Sequence, residues 1–83
     1  MSKYANLSNG VAPIWQAIDV SASNVTPAGN CIGFYVEGAG DISFVSGPNT
    51  LTVAVAANSY HTGQVAQFNT SGTTATGIYA LYI

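Results

Sequence analysis

Apolar residues in this chain recur at alternate positions in short runs, the signature of strands with one covered face. Cys31 to Glu37 shows it best, with Ile32, Phe34 and Val36 predicted inward and Cys31, Gly33, Tyr35 and Glu37 outward. Thr50 to Ala56 repeats the pattern, placing Leu51, Val53 and Val55 inward and Thr50, Thr52 and Ala54 outward. Asp41 to Ser46 sets Ile42 and Phe44 on one face, and Gln64 to Asn69 reads as a strand around Phe68. Trp15 to Val20 alternates more weakly, with Gln16, Ile18 and Val20 opposed to Trp15, Ala17 and Asp19. Gly77 to Ile83 differs, being apolar on both faces. Such a run is a central strand, either interior to two layers or half covered by another chain, and at least one of its neighbours is expected to come from a second polypeptide.

Turn formers separate these runs. Ser21 to Asn30 carries Pro27 and Gly29 and reads as a loop, while Gly38-Ala39-Gly40 is expected to close a hairpin between the second and third strands. Gly47-Pro48-Asn49 marks another turn, and Ala57 to Gly63 is read as a loop with Tyr60 and His61 at its middle. The sum is an all-β chain, a small antiparallel β-sandwich or barrel of about six strands with no helical period. Residues 1–14 read as an N-terminal arm that Tyr4 would anchor to a neighbour, and residues 15–83 as a single β domain.

Composition changes this picture in one respect. With one Lys and three acids, charged residues make up 5 % of the chain, against about a quarter in ordinary domains. Soluble monomers blunt their strand edges with charge, and this chain has almost none, so its surface is expected to be covered in use by self-association. A chain of 83 residues also needs a staple beyond its own core. One cysteine, Cys31, excludes an internal disulfide, and one histidine makes a metal knot improbable, which leaves oligomerisation. A single Lys cannot neutralise several phosphates, so nucleic acid is disfavoured as a partner. No apolar run reaches the length of a membrane span and the first residues lack the apolar core of a signal peptide, so synthesis in a cytoplasm is expected.

Candidate chemistry is sparse. His61 with Asp19 or Asp41 and a serine would make a triad only in name, since no nucleophile-elbow pattern surrounds a serine. Glu37 and Asp41 bracket the glycine turn but are too few for calcium, and Gly38-Ala39-Gly40 lacks the third glycine and helix of a nucleotide site. No catalytic residue, cofactor or metal is therefore expected. The aromatic residues are more informative, because rings with a polar tip suit interfaces. Tyr4, Trp15, Tyr35 and Tyr79, with Leu81 and Ile83 on the terminal strand, are the candidate subunit or partner contacts.

Three segments carry a resemblance: Val36-Glu37-Gly38-Ala39-Gly40-Asp41-Ile42, the run Thr50 to Val55, and Thr73-Thr74-Ala75-Thr76-Gly77-Ile78-Tyr79-Ala80-Leu81-Tyr82. In these the chain resembles the head-spike base proteins of gene transfer agents and related tailed phages, over roughly its C-terminal half. The resemblance implies a non-enzymatic, all-β capsid accessory protein on the virion surface, a homo-oligomer whose partners are the major capsid protein and a fibre protein. The alternative from another class is a carbohydrate-binding module for host attachment, with Trp15, Tyr35 or Tyr60 as the stacking platform.

Overall fold

Both edges of the two-faced apolar strand are filled from within the chain. The structure, a computed structural model, describes residues 14–83. Its strands are β1 (Ile14–Ile18), β2 (Cys31–Gly38), β3 (Gly40–Ser46), β4 (Asn49–Val55), β5 (Ser59–Thr62), β6 (Gln67–Phe68) and β7 (Thr76–Tyr82). They form two antiparallel sheets, ordered β1-β7-β2-β5 and β4-β3-β6, packed as a small sandwich. β7 pairs with β1 from Ile14–Tyr82 to Ile18–Ile78, and with β2 from Cys31–Tyr82 to Gly38–Thr76. The central position expected for this strand is observed. The neighbour expected from a second polypeptide is not, because the weakly alternating strand β1 occupies that edge from Ile78 to Tyr82.

Between the sheets lie Ile18, Phe34, Val36, Ile78 and Ala80 from one layer and Ile42, Val55 and Phe68 from the other, all buried. Phe34 meets Phe44 and Phe68 edge-on, with ring centroids 5.6 and 5.8 Å apart. Each fully buried aliphatic or aromatic side chain contributes about 1.5–3 kcal/mol, so this small set carries most of the favourable free energy of a chain with so few ion pairs to call on.

Four local features depart from the alternation read off the sequence. First, the β2 register against β7 shifts between Cys31 and Gly33, which makes Ile32 the extra residue of a bulge. A one-residue slip moves a side chain to the other face, so Cys31 is buried rather than outward and Ile32 is only half-buried. The Cys31 thiol donates to the Gly33 carbonyl at 3.1 Å across this bulge.

Second, Gly38-Ala39-Gly40 does not close a hairpin. β2 and β3 belong to different sheets, and the chain turns a corner between them. Gly40 has φ +154°, and a side chain there would run into the backbone nitrogen of Ala75 at 2.7 Å. Glycine lets the chain switch layers where any other residue would be blocked. The true hairpin joins β3 to β4 through Gly47-Pro48, with Ser46 paired to Asn49 and Gly47 at φ +57°, as the first position of a II′ turn requires.

Third, the segment read as a loop around Tyr60 and His61 is β5, an edge strand paired from Gly33–Thr62 to Val36–Ser59. Its four residues, SYHT, are too short and too polar for periodicity to register. The strand expected over Gln64 to Asn69 contracts to β6, although Phe68 is fully buried. Fourth, Leu51 lies on the inward side of β4 yet is 43 % exposed, at a cleft it lines with Phe34, Phe44 and His61.

The threonine-rich stretch before β7 acts as a strand substitute. Beyond β6, the free edge of β3 is closed by Thr74 and Ala75 N–H groups donating to the Asp41 carbonyl, at 2.8 and 3.1 Å. The Thr74 and Thr73 hydroxyls accept from the Asp41 and Ser43 N–H groups, each at 2.9 Å. Asn69 adds a backbone bond to the Ser43 carbonyl at 2.9 Å and a side-chain bond to its hydroxyl at 3.2 Å.

Candidate contact surface

The outward face of the four-stranded sheet carries one aromatic residue from each strand: Trp15 from β1, Tyr79 from β7, Tyr35 from β2 and Tyr60 from β5. The register explains why they meet. Tyr60, Tyr35 and Tyr79 stand directly opposite one another in a row that ends at Ala17. Trp15 sits in the adjoining row with Leu81, Gly33 and Thr62.

Trp15 lies 5.4 Å from Tyr35, 5.8 Å from Tyr79 and 5.9 Å from Tyr60 between ring centroids. Tyr35 is 4.7 Å from Tyr60 and 6.4 Å from Tyr79. β1 and β5 are opposite edges of the sheet, so these side chains bend inward over β7 and β2 and tie the layer together from outside. Such ring pairs contribute about 0.5–1.5 kcal/mol each beyond the area they bury. The rings nonetheless remain accessible, Trp15 at 48 % and Tyr60 at 61 %. Their planes are tilted by 37° to 90° to one another, which makes a ridged surface rather than a flat one.

Two polar groups fix the tips of the rings. The Tyr35 hydroxyl donates to Asn58 Oδ1 at 3.0 Å, and the Tyr79 hydroxyl donates to Glu37 Oε1 at 3.3 Å. Asn58 holds φ +56° in the turn that leads into β5, a conformation that asparagine tolerates better than most residues. The turn and the ring cluster are thus fastened to each other.

Of the contact residues expected from the sequence, Trp15, Tyr35 and Tyr79 come together here, and Leu81 lies half-buried in the row beside them. Ile83 is 47 % exposed just past the end of β7. Tyr4 and the rest of the arm lie outside the described residues. Tyr60 was legible only as a stacking candidate for sugar, because its segment did not read as a strand, while Glu37 read only as a turn acid beside Asp41 and Asn58 only as a turn former, neither as a partner of the rings.

The titratable groups are dispersed. Among the described residues no three His, Cys, Asp or Glu side chains gather in a way that would hold a metal ion. His61 stacks on Phe34 at 5.1 Å on the inner side of β5, and its Nε2 lies 2.9 Å from Ser59 Oγ. The Ser59 hydroxyl already donates its proton to the Ala56 carbonyl at 2.6 Å, so the imidazole Nε2–H is the donor to serine. A histidine in that tautomer is not poised to take a proton from Ser59. Asp19 is engaged by Ser21, whose hydrogen bonds hold its carboxyl below the ordinary value of 3.8. Burial pushes the Cys31 thiol above its ordinary value of 9.0.

Comparison with known protein families, curated proteins and solved structures finds no match.

Proposed function

We propose that this protein is a structural component of a tailed-phage virion, a capsid decoration or head-spike base subunit that assembles as an oligomer on the head, and not an enzyme. The observation that carries this reading is an accessible four-ring aromatic face on a sandwich with almost no charge. Aromatic residues are enriched at protein contacts and charged ones depleted at their centres. Trp15, Tyr35, Tyr60 and Tyr79 form the contact, with Leu81 and Ile83 at its margin. Its occupants are further copies of the chain, the major capsid protein or a fibre protein. The three segments that resemble head-spike base proteins fall on the corner between the sheets, on β4, and on β7 with the threonines that precede it.

The chain has a single tryptophan, which stands within the proposed contact. Titrating the protein with purified capsids should shift Trp15 emission to shorter wavelength and protect it from acrylamide, and Trp15→Ala should bind capsids at least about tenfold more weakly, as removal of an interface anchor does. Co-sedimentation of wild type and variant with equal affinity would refute the assignment of this face.

Carbohydrate binding is the second reading, favoured by the amide of Asn58 and the carboxylate of Glu37 standing beside the rings. Against it, those two groups are already hydrogen-bonded to the tyrosines, and mutually tilted rings offer no extended plane to a sugar chain. Glycan-array binding that disappears in Trp15→Ala would reverse this preference.

A further inference from the structure

The two edges of the three-stranded sheet are treated in opposite ways. The β3 edge is closed by β6 and then by the backbone and hydroxyl bonds of Asn69 to Ala75. The β4 edge has no strand beside it among the described residues. Because Ser46 and Asn49 flank a tight turn, they are a hydrogen-bonded pair, and the bonding to β3 falls on alternate residues from there. Thr50, Thr52 and Ala54 therefore direct their backbone N–H and C=O groups away from the sheet.

Nothing on β4 discourages a partner. Asn49–Val55 contains no charge, no proline and no bulge, the devices by which solitary sheets protect their edges. The strand is exposed on both faces from Asn49 to Thr52. Beside it, a cleft of about 310 Å³ opens between the layers, with Phe34, Phe44, Leu51, Val53 and His61 among its walls.

We infer that β4 pairs antiparallel with β4 of a second copy about a two-fold axis at Thr52, joining two three-stranded sheets into one of six. The inference rests on the self-assembling reading above and names the contact that builds it. A regular row of alternating backbone donors and acceptors is matched along its whole length by another strand. A second copy matches this row in register. The outward-directed residues are symmetric about Thr52, so Thr50 bonds Ala54 of the second copy, Thr52 bonds its equivalent, and Ala54 bonds Thr50. The same register sets Leu51 opposite Val53 of the second copy, on the inward side, where each covers the other beside the apolar cleft. An isologous contact of this kind closes on itself rather than growing into a fibre.

The test compares wild type with Thr52→Pro and Thr52→Cys by light scattering across concentration and by oxidation followed by non-reducing electrophoresis. Proline at 52 removes an outward N–H and leaves the β3 ladder intact, as an edge position tolerates. Losing that bond from both copies should weaken the dimer about thirtyfold while circular dichroism stays unchanged. Thr52→Cys should form a covalent dimer on oxidation, whereas Ala17→Cys on the β1 edge should not; the native Cys31 is buried and does not compete. A wild-type oligomer that persists in Thr52→Pro, with no cross-link through Cys at 52, overturns the β4 pairing and leaves self-assembly standing. A wild type that is monomeric at every concentration overturns both, while capsid binding through Trp15 would still be read separately. If Thr52→Pro does not fold, the cross-link decides alone, and dimers through position 17 instead of 52 overturn the inference.

Discussion

Replacing Gly33 by Ala should damage the fold and the aromatic face together. Gly33 is paired with Leu81 on one side and Thr62 on the other, next to the β2 bulge. A β-carbon there would collide with the His61 carbonyl oxygen and sit 3.3 Å from the Thr62 Cα, and both neighbours are backbone that cannot rotate aside. Relief requires β5 to move away from β2. That movement strains the ladder from Gly33–Thr62 onward and the bond from Gly63 N–H to the Ile32 carbonyl, 2.8 Å long. Two such bonds lost at about 1 kcal/mol each, with about 1–3 kcal/mol of overpacking, give a loss of about 3–5 kcal/mol. A domain of this size has about 4–12 kcal/mol in total. Urea unfolding followed by circular dichroism measures the loss, and Trp15 emission provides a local reading, because Tyr60 travels with β5 and leaves the indole. A Gly33→Ala protein within about 1 kcal/mol of wild type, with unchanged Trp15 emission, would refute the claim that β5 is held at this distance by the absence of a side chain.

Other outcomes follow from the same geometry. Asn58→Ala should cost about 2 kcal/mol, about half from forcing alanine to positive φ and half from the lost Tyr35 bond, whereas Asn58→Gly should recover the backbone share; thermal melts of the two variants would separate the contributions, and equal losses would contradict them. Native Cys31 should resist thiol reagents near neutral pH and react on unfolding, since it is buried and its thiol is held protonated. Because the folded thiol ionises at higher pH than the unfolded one, stability should be intact below pH 9.0 and decline as pH rises above that value, and Cys31→Ser should flatten the decline in alkaline melts. The melting temperature of wild type should change little from low to high salt, as there is scarcely any surface charge for ions to screen.

The fold class was legible because the long strands alternate cleanly. Ile42, Val36, Phe34 and Val55 stand inward where the pattern puts them, and β7 is central as its two apolar faces require. The failures occur where one residue alters the phase or a glycine alters the path. The bulge at Ile32 reverses the faces of Cys31 and Ile32, and an inserted residue leaves no mark in composition. Gly38-Ala39-Gly40 looks the same in sequence whether it folds a strand back or carries it to the other layer, since that choice depends on what Ala75 and Thr76 occupy nearby. The threonines before β7 read as a polar run, and their service as an edge to β3 is visible only when the tertiary hydrogen bonds are. The aromatic cluster was half legible: Trp15, Tyr35 and Tyr79 could be named one by one, but Tyr60 needed β5, and their convergence needed the register.

The position of β7 has a consequence for how the protein folds. Among the described residues it is the strand latest in sequence, yet it lies between β1 and β2 in the sheet, so until it docks those two strands have nothing between them to pair with. The β3–β4 hairpin, with its tight turn, can form early, whereas the four-stranded layer must wait for residues separated by most of the sequence to find one another, a slow class of folding step. During that interval the folding chain holds Trp15, Phe34 and Tyr35 uncovered, with very little charge to keep neighbouring chains apart. Refolding from urea should therefore lose yield to aggregation as protein concentration rises, with the recovery of Trp15 emission as its slow phase.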